Sequence, residues 1–197
     1  MPAALDRWLH DLAGDDLRAE AAARELAAQG VAALPSLREI VASAGGASED
    51  ARWWAARALA LIDSPEAVRL LLGLLADPDP ALRACAVAGL GERASAEAVP
   101  ALIDLLADPS PFLARLASDA LIHIGPAAVA PLITALGDAA SQQRRFLSAR
   151  ALSRLAAPES IPALFRALED DSSLVQFWAD EGLDRLGIGM LYFDARS

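Results

Sequence analysis

The sequence predicts an all-α chain folded as a right-handed α-solenoid, a superhelix of about five two-helix repeats with an N-terminal capping helix and a C-terminal half-repeat. Three observations lead there. One apolar ladder has a fixed period: Leu59, Leu90, Leu121, Leu152 and Leu183 stand 31 residues apart, each after a small residue (Ala58, Gly89, Ala120, Ala151, Gly182). Within each period the apolar residues follow helical spacing. Of the 197 residues, 55% are hydrophobic but only 5% aromatic, and Ala supplies about a quarter, which suits closely approached helices better than a sheet. A period of this length marks stacked units, none of which buries its apolar face alone.

The elements follow in order. Leu5, Trp8, Leu9 and Leu12 give residues 1–14 one apolar face, a capping helix. The first repeat, 15–47, is the least regular: Leu17, Ala21 and Leu26 mark its first helix and Leu34-Pro35 with Leu37 its second. Ala44-Gly45-Gly46-Ala47-Ser48 supplies a loose connection. Repeats two to five occupy 48–77, 78–108, 109–138 and 139–170. In the third, Leu82, Cys85, Ala86, Gly89 and Leu90 form the first stripe and Val99, Leu102, Ile103 and Leu106 the second.

Three further ladders share the period, namely Pro100/Pro131/Pro162 (Arg69 holds the earlier slot), Leu71/Leu102/Ile133/Leu164 and Val68/Val99/Ala130/Ile161. The prolines fall early in the second helices, where few intrahelical donors are lost. Ser64-Pro65-Glu66 reads as a cap, a first-turn proline and an acid at the positive helix end. Asp77-Pro78 and Asp108-Pro109 close one repeat and open the next. In the half-repeat, 171–197, a helix carrying Leu174, Trp178, Leu183 and Leu186 is followed by Met190, Leu191, Tyr192 and Phe193 instead of a second helix. That tail is expected to cap the last helix, with end-to-end dimerisation as the alternative.

Charge and composition narrow the function. The formal net charge is −10, and the chain contains no Lys and no Asn, a bias expected of a high-GC bacterial genome. Such acidity argues against nucleic acid, whose affinity comes largely from cationic neutralisation of phosphate. Apolar runs are interrupted by charge before a membrane-spanning length, and the first residues lack a basic leader, so a cytoplasmic location without membrane insertion is expected. A single Cys and two His provide neither a disulfide nor zinc spacing. No nucleophile elbow, phosphate loop or His-Glu-x-x-His occurs, so no catalytic residue, metal or cofactor is assigned.

Leu82-Arg83-Ala84-Cys85-Ala86-Val87-Ala88-Gly89-Leu90-Gly91 and Ala98-Val99-Pro100-Ala101-Leu102 resemble the short HEAT-like repeats of the phycobilin-lyase type. The resemblance covers about residues 16–187 and implies the fold. In that family an Arg early in the first helix pairs with an Asp of the inter-repeat turn. Arg52, Arg83 and Arg145 hold the first column, with Ala114 departing from it. Asp77, Asp108 and Asp170 hold the second, with Ala139 breaking it beside Asp138. Both columns are read as structural. Deoxyhypusine hydroxylase shares the fold but relies on His-Glu pairs, whereas His10 precedes Asp11 and His123 precedes Ile124. Cys85 shares a column with Trp54, Leu116, Leu147 and Trp178 and is read as a packing residue.

The second helices of such stacks line the concave face. Counting outward from the buried column exposes Glu66, Arg69, Leu70 and Gly73, then Glu97 and Asp104, then Leu132 and Ala135, and finally Glu159 and Arg166. This groove, acidic at one edge and apolar along its floor, suits a basic or amphipathic peptide. An alternative interface uses Trp53, Phe146 and Phe177 on the opposite face, or Leu191, Tyr192 and Phe193 in the tail. The expected function is a non-enzymatic protein-binding scaffold or adaptor, monomeric or weakly dimeric. The resemblance leaves a lyase-like or chaperone-like subunit as one alternative and a self-assembling structural unit as another.

Overall fold

The computed structural model describes residues 2–43 and 46–188, and every regular element among them is a helix. The chain divides into two compact units, Met1–Arg93 and Ala94–Ser197. The first contains α1 (Pro2–Asp11), α2 (Asp16–Ala28), α3 (Leu34–Ala42), α4 (Glu49–Leu61), α5 (Pro65–Leu74) and α6 (Pro80–Glu92). The second contains α7 (Val99–Leu105), α8 (Pro111–Ile124), α9 (Val129–Leu136), α10 (Gln142–Leu155), α11 (Ile161–Ala167) and α12 (Ser173–Arg185). The expected tail contacts of Leu191, Tyr192 and Phe193 lie outside the described residues.

Each unit has two layers. The longer first helices pack side by side, α2 on α4 on α6 in one unit and α8 on α10 on α12 in the other. The shorter second helices rest on the first helix that follows them: α3 on α4, α5 on α6, α7 on α8, α9 on α10 and α11 on α12. Leu59, Leu90, Leu121 and Leu152 are fully buried between the layers. The small residue before each leucine sets how closely first helices approach. A Cβ on Gly89 would sit 2.6 Å from that of Ala60, so α4 and α6 could not keep their spacing with alanine there.

Three local devices recur with the sequence period. Ser48, Asp79, Ser110 and Ser141, spaced by 31, cap α4, α6, α8 and α10 by accepting a hydrogen bond from a first-turn N–H. Asp77, Asp108, Asp138 and Asp170 each accept from the N–H two residues on, at 2.8–2.9 Å, which shapes the turn between repeats. After the first helices, Ala94, Gly125, Ala156 and Gly187 all have positive φ. At Gly187 the chain makes a Schellman cap, with Ile188 N donating to Leu183 O and Gly187 N to Asp184 O.

The fourth repeat corrects the counted register. Leu132, not Ile133, joins Leu71, Leu102 and Leu164 at zero exposure, and Val129 takes the slot expected for Ala130. The cause is local. Gly125, at φ 79° and ψ −135°, ends α8 and begins the next turn without a spacer, so α9 starts one residue early. The lost residue returns before Ser141, because Asp138 rather than Ala139 makes the turn. The acidic column is therefore unbroken. Pro111–Leu136 is long and apolar enough by composition to span a membrane, contrary to the sequence expectation, but Gly125 divides it into α8 and α9, whose apolar faces belong to the core.

At the end of the second unit α12 has a polar outer side. Asp180 and Asp184 are exposed where α10, 31 residues earlier, has fully buried Ala149 and Ser153.

The positive-φ ladder makes a paired prediction. Ala156→Gly relieves roughly 1–2 kcal/mol of left-handed strain against roughly 0.4–1 kcal/mol of added unfolded-chain entropy. It should therefore raise stability in urea unfolding. Gly125→Ala, whose new Cβ would meet no atom within 4 Å, should lower stability by about 1–3 kcal/mol through backbone strain alone.

Candidate functional site

The second-helix face of the Ala94–Ser197 unit carries a trough between α9 and α11. Ile133 lines two hollows there, of about 520 and 440 Å3. The first is apolar, walled by Val129, Ala130, Leu155 and Pro158, with Glu159 at its rim. The second runs past Gly137, Ala163 and Ala167 to Arg145, Arg166, Asp170 and Asp171. Small residues open the trough. Ala130 and Gly137 on one side and Ala163 and Ala167 on the other leave space that larger side chains would fill.

Ion pairing fixes the charged end. Arg145, nearly buried, reaches Asp170 at 2.8 Å and Asp171 at 2.6 Å and also donates to the Asp138 carbonyl. One guanidinium thus serves two carboxylates. Burial works against the charge of Asp170, but hydrogen bonds from Arg145 and from the Ser172 N–H outweigh it and hold the carboxyl below the usual range. The Asp170 contact in turn raises the Arg145 pKa.

The counted surface residues fall as follows. Glu97 and Asp104 on the α7 side, and Glu159 and Arg166 on the α11 side, are exposed. Asp104 approaches Arg144 only to 3.9 Å. Leu132 and Ala135 are corrected: both are core residues, at 0% and 5% exposure, because α9 is displaced by one position. The outward positions are Pro131 and Thr134. In the Met1–Arg93 unit, Arg69 and Gly73 are exposed on α5 while Glu66 and Leu70 are half-buried. Arg52 is buried and bridges α3 to the next turn, donating to Val41 O and to Asp77 at 2.6 Å. Arg83 donates to the carbonyls of Asp77 and Pro78, and Asp108 accepts from Ser110 N.

The first-helix face differs. Trp53 is half-buried, edge-on to Trp54 at 4.8 Å. In the second unit Phe146 lies in a cleft of about 630 Å3 with Phe112 and Leu174, which are 69% and 55% exposed. Phe177, 57% exposed, sits one turn beyond Leu174. Sequence reasoning followed the column of Phe146 and Phe177, missed Phe112, and set Leu174 on the apolar face of the last helix with Trp178 and Leu183, whereas it is exposed. The signal was present: a helix face repeats at i and i+3, and Phe112/Arg115 and Leu174/Phe177 are such pairs.

Cys85 is buried, its Sγ 3.9 Å from the Trp53 carbonyl, and burial pushes the thiol up to about 12. No group of three or more His, Cys, Asp or Glu is placed to hold a metal among the described residues.

The sequence pattern of HEAT repeats matches residues 35–122 and 71–153, well over half of the chain. The chain belongs to the HEAT repeat family, and its architecture is that of an α-solenoid repeat protein. It is similar to the CpcE–CpcF complex of phycocyanin lyase from a Nostoc species, at 24% identity and TM-score 0.53, over 91% of this chain and 75% of that one. It is also similar to a designed armadillo repeat protein in complex with a (KR)4 peptide, at 22% identity and TM-score 0.50, over 92% and 98%. No curated protein matches it significantly.

Two outcomes test this description. The depressed Asp170 pKa means that its stabilising contribution is present above its unfolded value of about 4 and is lost as pH falls through the lower folded value. Asp170→Asn should therefore flatten the acid limb of the stability–pH curve. Native Cys85 should resist a disulfide reagent at pH 8 and react only on unfolding.

Proposed function

We propose that this chain is a non-enzymatic protein-binding repeat module that takes a peptide segment with apolar and basic residues along the α9–α11 trough. The observation that supports this most is that Ile133 lines two neighbouring hollows, one apolar and one ionic. A peptide there would place aliphatic side chains against Val129, Ala130 and Leu155 and a cation toward the carboxylates at either end. Charge favours this choice. At the ionic end Arg145 and Arg166 balance Asp170 and Asp171, whereas Glu97 and Glu159, toward the apolar end, form no ion pair among the described residues. A cationic segment would be drawn in and held by complementary charge rather than by area alone.

The architecture suits such work, since repeat stacks offer rigid rows of side chains that a peptide can follow. The designed armadillo similarity, with its Lys-Arg peptide, supports a cationic ligand as a proposal for this chain. A lyase-like role is the alternative that the other similarity leaves standing. The unreactive setting of Cys85 gives it no nucleophile here.

The test is selection of a displayed peptide library on wild type, followed by titration of the selected peptide against variants. Ala130→Trp fills the trough from an exposed position, and Glu97→Arg/Asp104→Arg reverses the charge beside it. Enrichment of apolar–basic peptides that lose roughly tenfold affinity or more on Ala130→Trp is the expected result. Undiminished binding to Ala130→Trp, with helicity unchanged, would remove the trough from the proposal.

A further inference from the structure

The first-helix cleft of the second unit is a separate surface, and its chemistry is opposite to that of the trough. We infer that it is the docking site for an acidic amphipathic helix of a partner protein, with apolar side chains inserted between Phe112 and Leu174 over Phe146 and a carboxylate on Arg115.

Four observations carry this. First, the apolar surface is large and contiguous. Phe112, Phe146, Leu147 and Leu174 come from α8, α10 and α12 and wall one cleft of about 630 Å3, with Phe112 and Leu174 more than half exposed. Soluble chains seldom leave clustered large side chains in water unless something covers them.

Second, the shape suits a helix. α8 and α12 flank α10, and packed helices lie roughly 8–10 Å apart. The ridges carrying Phe112 and Leu174 are therefore separated by about two such spacings. The gap over α10 is the width of one helix.

Third, the walls offer no main-chain partners. All three bordering elements are helices, with no strand edge to pair with. The amide nitrogens at the rim are already engaged: Gln143 Nε2 donates to the Leu106 and Asp108 carbonyls, and Gln142 Nε2 to Ser172 Oγ. A segment entering this apolar space must satisfy its own backbone, which an α-helix does and an extended peptide does not.

Fourth, the local charge is positive in a chain of net charge −10. Arg115 is the only charged residue lining the cleft among the described residues. Its neighbour Asp119 lies 3.5 Å away but is held at 2.6 Å by the buried Arg150. One carboxylate facing two guanidiniums leaves a cation at the mouth, and a carboxylate from the partner completes it.

The experiment uses the full chain and two fluorescein-labelled stapled helices carrying the same Leu/Phe stripe, one flanked by Glu and one by Lys. The Glu helix should bind and the Lys helix should not. Phe112→Glu should weaken binding roughly tenfold or more, and Arg115→Glu should reverse the preference toward the Lys helix. Because Phe112 and Arg115 are both exposed, neither variant should disturb the fold, which circular dichroism checks. Ala130→Trp should leave Glu-helix binding intact, so failure of the trough and failure of the cleft give different results. Equal binding of both helices, no binding of either, or insensitivity to Phe112→Glu would each overturn the inference. So would a concentration-dependent dimer in light scattering that Phe112→Glu abolishes, which would assign the cleft to a second copy.

Discussion

The turn between repeats is the constraint on which the rest depends. In four successive places an aspartate accepts the N–H two residues on, and the following first helix begins three residues after it, or four in the case of Asp138. That bond sets the direction in which each first helix leaves its turn. Where an arginine also reaches the aspartate, as Arg52 does Asp77 and Arg145 does Asp170, the turn is tied to the helix of the preceding repeat. The leucine ladder then meets its neighbours because the turns deliver it at the correct height. Burial supplies most of the stabilisation, but it is non-directional, and these polar contacts give it a register.

Much of this architecture was legible in the sequence because a stacked repeat writes its core into a period. The leucine ladder and the small residues before it needed only counting. The register of the fourth repeat was not legible, because Pro131 kept the 31-residue spacing of the proline ladder while the buried positions moved by one. A proline early in a helix tolerates that displacement, since the donor it lacks is unpaired at either position. The proline ladder therefore concealed a shift that Leu132 and Asp138 reveal. The repeated caps at Ser48, Asp79, Ser110 and Ser141 were also present in the sequence, yet hydrophobic periodicity does not detect them.

The two surfaces differ in how they could be read. The carboxylates along the trough could be placed by counting outward from the core, but the trough is a gap between alanines, and absent volume leaves no residue to count. The cleft is the reverse case. Its aromatic residues were visible, but one column of a helical face looks like scattered residues until its i+3 partner is set beside it.

The acidic side of α12 bears on polymerisation. An open stack of near-identical units is a template for head-to-tail growth, since any unit that fits its neighbour could fit another copy of the whole molecule. Asp180 and Asp184 occupy the positions at which α10 receives its successor with alanine and serine. A further helix arriving there would have to strip water from two carboxylates with no cation supplied in return, a cost of several kcal/mol per ion. Two carboxylates at these positions therefore disfavour the helix packing that alanine and serine allow on α10. A substitution as small as Asp180→Ala together with Asp184→Ser would remove that barrier.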